Sequence, residues 1–449
     1  MDFLTEVSTF TYEAGPVNYD EFPPTEEPVY LMGTPYSTLY DLNELKLDFL
    51  SRIWLTYRKN FPAIGGTGPT LDTGWGCMLR CGQMMLAQAL LNRHCGRDWR
   101  WTRKIYDEKY RKVLEMFLDK KNAYYSIHQI ASMGVSEGKN IGQWFGPNTV
   151  AQVLKKLVVF DEWSSLVIHV AMDNTIIEHD IKCLCKPGYE KTTCDILGMN
   201  SMKAGATGCS SRAKPQDKNK SSHVDPSKWK PLLLILPLRL GLTDINAVYI
   251  ESLKKCLSFT HSVGIIGGKP NQAHWFVGYV GDKLIYLDPH TTQVSVFFDK
   301  MIYLDPHTTQ EVDILSTHPP LFSRDKLIYL DPHTTQVSVD LNDHLSNDDS
   351  FHCPHPCMMN ILELDPSIAV GFYCGTESEF DDLCTTIRKF ITCESRTPMF
   401  ELYQDRPPHW PPYEPYSGKF FLLWSSATIE FAVLDGTGCE TDDEFELIG

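Results

Sequence analysis

An α+β fold is what this sequence predicts. Apolar residues at three- and four-residue steps mark the first part of the chain, while a continuous apolar run and a hairpin signal mark the later part. The composition over 449 residues, 43% apolar, 12% aromatic and 22% charged, is that of a globular chain with ample material for a core.

In chain order, Leu42, Leu45, Phe49, Ile53 and Thr56 share one helical face, which predicts an amphipathic helix ending near Tyr57. Residues 62–73 are a breaker cluster, and Thr73-Gly74-Trp75-Gly76 shapes a loop into a second helix over about 77–91. A third helix follows Pro147-Asn148, with Val150, Val153, Leu154 and Leu157 on one side. Residues 186–230 are rich in Lys, Ser, Gly and Asp without periodicity, the composition of a disordered excursion. Residues 232–236 read as a buried strand and 247–257 as a helix. Gly281-Asp282 between the apolar runs 274–280 and 283–287 predicts a β-hairpin with a tight Gly-X turn.

One stretch repeats. DKLIYLDPHTTQVSV at 282–296 returns letter for letter at 325–339, and DKMIYLDPHTTQ sits between them from Asp299. The offset, 325 − 282 = 43, is near the periods of repeat folds, yet nothing else recurs. The pattern reads as a local duplication, an alternative exon or a gene-assembly error rather than a solenoid.

Lys and Arg number 41 against 57 Asp and Glu, a net charge of −16, and no basic run is dense enough to track a phosphate backbone. Nucleic acid is therefore not an expected partner. The 14 cysteines lack the tight spacing of a secreted disulfide scaffold, and the first residues carry acids where a leader would carry Arg or Lys. Reduced thiols and a cytoplasmic location are expected. The longest apolar runs fall far short of the ~18 residues of a membrane span.

Cys77 follows the Gly-Trp-Gly loop and opens the second helix, where backbone amides and the helix dipole favour a thiolate. A thiolate needs an imidazole to share its proton. Asp288-Pro289-His290 offers one: in an extended strand residues i and i+2 face the same side, so the carboxylate can bond the ring and fix its tautomer. Pro289 donates no hydrogen bond, which places this segment at a strand end. Taken alone, Cys77 could be one more buried thiol and D-x-H a solvated loop.

Six ordered stretches carry more information: WLTYRKNFPAIGGTGPTLDTGWGCMLRCGQM from Trp54, SIHQIASMGVSEGKNIGQWFGPNTVAQVLKKL from Ser126, LPLRLGLTDIN from Leu236, IGGKPNQAHWFVGYVG from Ile266, IYLDPHTTQ from Ile285 and ELDPSIAVGFYC from Glu363. Together they resemble the autophagy-related cysteine proteases, over roughly residues 26–402 apart from the excursion and the duplication. The resemblance implies a papain-like fold with family-specific insertions and a triad falling on Cys77, Asp288 and His290. It implies Tyr57 as a residue that holds the oxyanion, and Trp144 with Pro270 as a gate over the scissile glycine. A slot walled by an indole and a proline admits only a residue without a side chain.

The implied activity is removal of C-terminal extensions from ubiquitin-like autophagy modifiers after a glycine, and their release from phosphatidylethanolamine. The expected partners are those modifiers, free and lipid-conjugated, with membrane contact only through the substrate and no cofactor or metal. The expected organisation is a flexible segment at 1–30, a catalytic domain at 31–403 containing the excursion and the duplication at 282–339, and a flexible tail at 404–449. In that tail Phe445 and Ile448, behind a run of acids, form a pattern like the short strand-adding segments that fill two pockets of a modifier.

Where the family has one DPH this chain has three, Asp288/His290, Asp305/His307 and Asp331/His333. Removing 282–324 or 297–339 restores the same family-like sequence. The first copy is favoured because it directly continues the hairpin. His352, Cys353, His355 and Cys357, and likewise Cys183 and Cys185, are soft ligands in close spacing, but two prolines hamper wrapping and no metal is expected. Cys81, one turn after Cys77, is a redox-sensitive neighbour or, more simply, packing. The competing readings are an inert modifier-binding scaffold, should the duplication spoil the site, and a metal-binding structural protein.

Overall fold

The computed structural model describes residues 21–103, 105–186, 228–269, 272–291, 335–339, 348–395, 397–413, 421–425 and 428–432. Its centre is a sheet of nine strands: β1 (Val29–Leu31), β2 (Thr34–Tyr36), β3 (Val167–Val170), β4 (Leu232–Arg239), β5 (Ser262–Lys269), β6 (Gln272–Val280), β7 (Lys283–Leu287), β8 (Cys357–Asn360) and β9 (Ser367–Cys374). The order is β8-β7-β6-β5-β9-β4-β3, antiparallel except where β3 runs parallel to β4. β1 extends the far end of β6 through Tyr30 opposite Tyr279 and carries β2 on its outer side.

An apolar run can stay a strand only if both of its faces are covered. In β4, Leu233 and Ile235 enter one core while Leu232, Leu234 and Leu236 enter the other. β6 divides likewise, with Trp275 and Val277 on the first side and Phe276 on the second. The first core is covered by α1 (Leu42–Leu50), α2 (Cys77–His94), α3 (Glu108–Glu115), α4 (Ile127–Met133) and α5 (Pro147–Leu157). The second is covered by α6 (Glu178–Cys185), α7 (Ile250–Ser258) and α8 (Glu377–Ile387). The result is an α+β sandwich of helices on both faces of a mixed sheet, the papain-like architecture expected.

The deepest helix is α2, buried from Cys77 through Leu91. A helix buried all round must satisfy its polar side chains internally. Gln83 donates to the Tyr125 carbonyl (2.7 Å), Gln88 accepts from Arg52 (2.8 Å), and Arg80 pairs with Asp72 and Asp119 at 2.7 and 2.8 Å. Gly82 lets α5 approach: a Cβ there would lie 2.6 Å from Val150 Cγ2.

Several expectations shift. α1 stops at Leu50 rather than near Tyr57. Ser51 Oγ turns back to the Leu47 carbonyl at 2.6 Å, and the chain then extends so that Trp54 N–H reaches the Phe351 carbonyl (2.8 Å) and Tyr57 N–H the Pro289 carbonyl (2.9 Å). Tertiary bonds override the periodicity there. Strands also precede the helices, since β1 and β2, three residues each, were too short to leave a pattern. Within the segment expected to be flexible at 1–30, residues 21–30 pack: Phe22 is 5% exposed and meets Phe49 edge-on at 5.9 Å. The expected tail likewise begins late, because Arg406 bonds Asp180 of α6 at 2.6 Å. Most of the expected excursion, 187–227, lies outside the described residues, as do Asp305, His307, Asp331, His333, Pro270, Phe445 and Ile448.

The hairpin forms as expected. β6 and β7 are joined by Gly281-Asp282, and Gly281 takes φ 54°, open to glycine at no steric cost. The first copy then runs to Thr291, and the described chain resumes at Thr335 in the third copy. Since the copies are offset by 43 residues, Thr335 is the counterpart of Thr292. The two pieces therefore read as one unbroken copy. They also lie side by side, because Pro289 accepts from Tyr57 N–H while Gln336 and Val337 pair in parallel with Arg58 and Lys59. Excision of 292–334 should accordingly leave a folded, active protein whose melting temperature is unchanged or a few degrees higher, because a loop has been shortened. Loss of the cooperative melt would show that the deleted residues contribute to the core.

Candidate active site

The site is assembled around two carboxylates, Asp72 fully buried and Asp288 partly so. Asp72, in the loop before α2, accepts the Arg58 N–H (2.6 Å) with one oxygen and Arg80 Nε (2.7 Å) with the other. Its own carbonyl accepts the Gly76 N–H at 2.8 Å, and a Cβ on Gly76 would fall 2.6 Å from Asp72 Cβ, so the loop closes only on glycine. This clamp fixes the N-terminus of α2 and with it Cys77, the first helical residue, 1% exposed.

The second carboxylate is Asp288, one residue past β7. Its Oδ1 accepts the ring Nδ1–H of His290 at 2.6 Å and the backbone N–H of His290 at 2.8 Å. The DPH segment is thus a turn closed on the aspartate side chain, not the extended strand expected for it. The consequence for the ring is the same, with Nδ1 occupied and Nε2 left for the thiol. Trp54 and Tyr57 hold the turn from outside: the indole N–H donates to the Asp288 carbonyl (2.9 Å), and the Tyr57 ring stands perpendicular to the His290 ring at 5.2 Å.

Burial alone would raise the Cys77 thiol, but the His290 ring and its charge, then the Ala273 backbone amide and the Tyr57 hydroxyl, bring it below its usual value. Burial alone would lower His290; Asp288 and then Cys77 push it up to about 10. Asp288 is held far below the carboxylate range despite burial, by His274 and His290. The two shifts run in opposite directions, toward a thiolate on Cys77 and an imidazolium on His290. Burial, with the charges of Cys77 and Asp288, drives Cys81 the opposite way, well above an ordinary thiol, so one helical turn separates a reactive sulfur from an inert one. Tyr57 is also pushed well up, mainly by burial and then by Cys77, and stays a phenol able to donate.

The structure therefore brings together Cys77, Asp288, His290 and Tyr57. Trp144 is 43% exposed on the loop ahead of α5. His352, a candidate soft ligand, is committed elsewhere: Nε2 bonds the Tyr110 hydroxyl (2.7 Å), Nδ1 the Leu50 carbonyl (2.8 Å), and the ring stacks on Trp101 at 4.1 Å. Two members of the site went unread in the sequence. Trp54 was masked by a helix assignment, and His274, 3.5 Å by Nδ1 from Asp288 Oδ1, looked like an ordinary strand position.

A cysteine at a buried helix N-terminus, a histidine facing it and a carboxylate behind the ring define a cysteine peptidase of papain-like fold. More narrowly, the chain belongs to the peptidase C54 family, whose catalytic-domain model matches residues 42–297 and 315–386, the break falling inside the duplicated region. It is 49% identical over 414 residues to "Cysteine protease ATG4B" of Gallus gallus, covering 90% of this chain and 91% of that one. It is 47% identical over 447 residues to "Cysteine protease ATG4B" of Xenopus laevis, covering 99% of each. With "Cysteine protease ATG4A" of Homo sapiens it shares 46% over 400 residues, 88% of this chain and 87% of that one. It is thus an autophagy-related cysteine protease.

The shifts give a sign to the pH behaviour. His290 is raised to about 10, so the stability its charge contributes is complete below about 6.5, the unfolded value, and is lost as pH rises through the folded one. Alkylation of Cys77 by iodoacetamide should be fast at pH values where ordinary thiols are inert, and in His290→Ala its midpoint should move up by at least about one unit. An unmoved midpoint would remove His290 as the partner of the thiolate.

Proposed function

We propose that this protease cleaves C-terminal extensions from ubiquitin-like autophagy modifiers after a glycine, and releases the same modifiers from phosphatidylethanolamine. The observation that carries the reading is the Cys77–His290–Asp288 arrangement in a chain of this family. Cys77 sulfur attacks the glycine carbonyl carbon, and the oxyanion so formed is met by the Tyr57 hydroxyl and the amides of the first turn of α2. His290 gives its Nε2 proton to the departing amine as the C–N bond breaks, leaving a thioester. Water, deprotonated by His290, then attacks the thioester and frees the glycine carboxylate and the thiolate. The bond to phosphatidylethanolamine is also an amide of the terminal glycine, so the two activities are one reaction with different leaving amines.

Specificity for glycine is assigned to Trp144 and to Pro270 in the β5–β6 connection. The open exposure of the Trp144 indole suits a wall that waits for substrate. The first DPH, seated beside Cys77, supports a catalytic protein over an inert scaffold.

Cys77→Ser should lower cleavage of a glycine-extended modifier precursor at least ~10³-fold while binding survives. Substantial residual cleavage would place the nucleophile elsewhere. Trp144→Ala should relax selectivity, reducing the preference for Gly over Ala at the scissile position by about tenfold or more. Undiminished discrimination in a folded variant would dismiss the gate.

A further inference from the structure

His274 lies on β6 directly after Ala273, whose amide faces the Cys77 sulfur, and directly behind the carboxylate that orients His290. It is 2% exposed, and neither of its ring nitrogens has a conventional hydrogen-bond partner. A buried imidazole left so is costly unless it serves something nearby. A carboxylate acceptor, Asp288 Oδ1, lies 3.5 Å from Nδ1, the same oxygen that receives His290. The other ionisable groups bearing on it are His290, whose ring centre is 5.6 Å away, Tyr286 at 4.4 Å, and Lys269 at the end of β5.

We infer that His274 is a positioning residue, a neutral imidazole whose Nδ1–H is a second donor to Asp288 and holds that carboxylate on the ring of His290 when the site closes on substrate. Burial in the strand is the largest effect on His274 and, with the charges of His290 and Lys269, outweighs the pull of Asp288 toward the cation, so the ring is pushed toward its neutral form. A lone Asp288 could swing about its side-chain bonds, and the His290 ring would swing with it. With a donor from β6 as well as from its own turn, the carboxylate is held between two elements of the sheet. Hydrogen bonds to a charged group tighten as an active site closes, so the 3.5 Å separation is the open end of that contact.

The inference rests on the triad proposed above, but the two fail separately. Cys77→Ser tests the triad, whereas substitution at position 274 leaves all three of its members in place. His274→Phe keeps bulk and removes the donor; His274→Gln keeps a neutral donor. The phenylalanine variant should lose about 10- to 100-fold in kcat on a glycine-extended modifier precursor, with KM within about twofold, and its Cys77 alkylation midpoint should rise by about one unit. The glutamine variant should recover most of both. If the phenylalanine variant gives no cooperative melt, His274→Met takes its place against glutamine. A folded variant without the donor but with wild-type kcat and alkylation midpoint would overturn the inference, and so would a glutamine variant as impaired as the one without a donor.

Discussion

The structure depends on the need of two carboxylates, Asp72 buried and Asp288 largely withdrawn from water, for donors. An ionised group taken out of water costs several kcal/mol unless hydrogen bonds replace its hydration, and removing one partner of such a pair costs roughly 3–5 kcal/mol. Asp72 meets that need by drawing Arg58 and Arg80 onto itself, which fixes the start of α2. Asp288 meets it by closing a turn on His290, which fixes the ring. The nucleophile and its partner belong to elements far apart in the chain. They meet because residues 54–58 bond to both segments: the Trp54 indole reaches the Asp288 backbone carbonyl, Tyr57 N–H the Pro289 carbonyl, and Arg58 N–H the Asp72 carboxylate.

That extended run also explains how α2 can hold two sulfurs of opposite character. Cys77 and Cys81 are both buried, and burial alone would keep both protonated. Only Cys77 is reached by His290, Tyr57 and an amide of β6. Three weak donors and one full charge outweigh desolvation at one position, and the resulting thiolate then repels ionisation at the other. The selectivity lies in direction rather than depth, since a single helical turn carries Cys81 out of reach of the donors.

Much of this was legible in the letters. Cys77 after Gly-Trp-Gly, the D-P-H spacing, the Gly281-Asp282 turn and the start of a helix at Pro147 all follow from local chemistry, and each stands where expected. What stayed hidden depends on distant partners. Ile53 and Thr56 continue the face of α1 perfectly well, and only the carbonyls of Phe351 and Pro289 pull that segment out of the helix. β1 is a strand because β6 presents a free edge to Tyr30, not because Val29–Leu31 has any pattern of its own. The turn at Asp288 was misread as a strand because both conformations place the carboxylate against the ring. His274 carried no signal at all, being a polar residue in an apolar strand whose partner lies on the next strand's far end.

The duplicated segment poses a question that contacts cannot answer. The first and third copies are identical over 282–296 and 325–339, so any junction within them builds the same site from the same residues, with the same 43 residues intervening. Loop entropy is equally indifferent, because one long closure is required in either arrangement. The difference lies just outside the identity. The residue before the first copy is Gly281, which holds φ 54° in a two-residue turn, and the residue before the third is Arg324, for which a left-handed backbone is unfavourable by roughly 1–2 kcal/mol. A tight hairpin onto β6 is therefore available to the first copy alone. Such a hairpin is a local contact, whereas the third copy can align with β6 only after a closure of some forty residues. Once β7 is seated between β6 and β8, exchanging it would mean breaking both ladders to recover identical contacts. A single glycine next to the repeat thus decides which of the identical aspartate-histidine pairs lies beside Cys77.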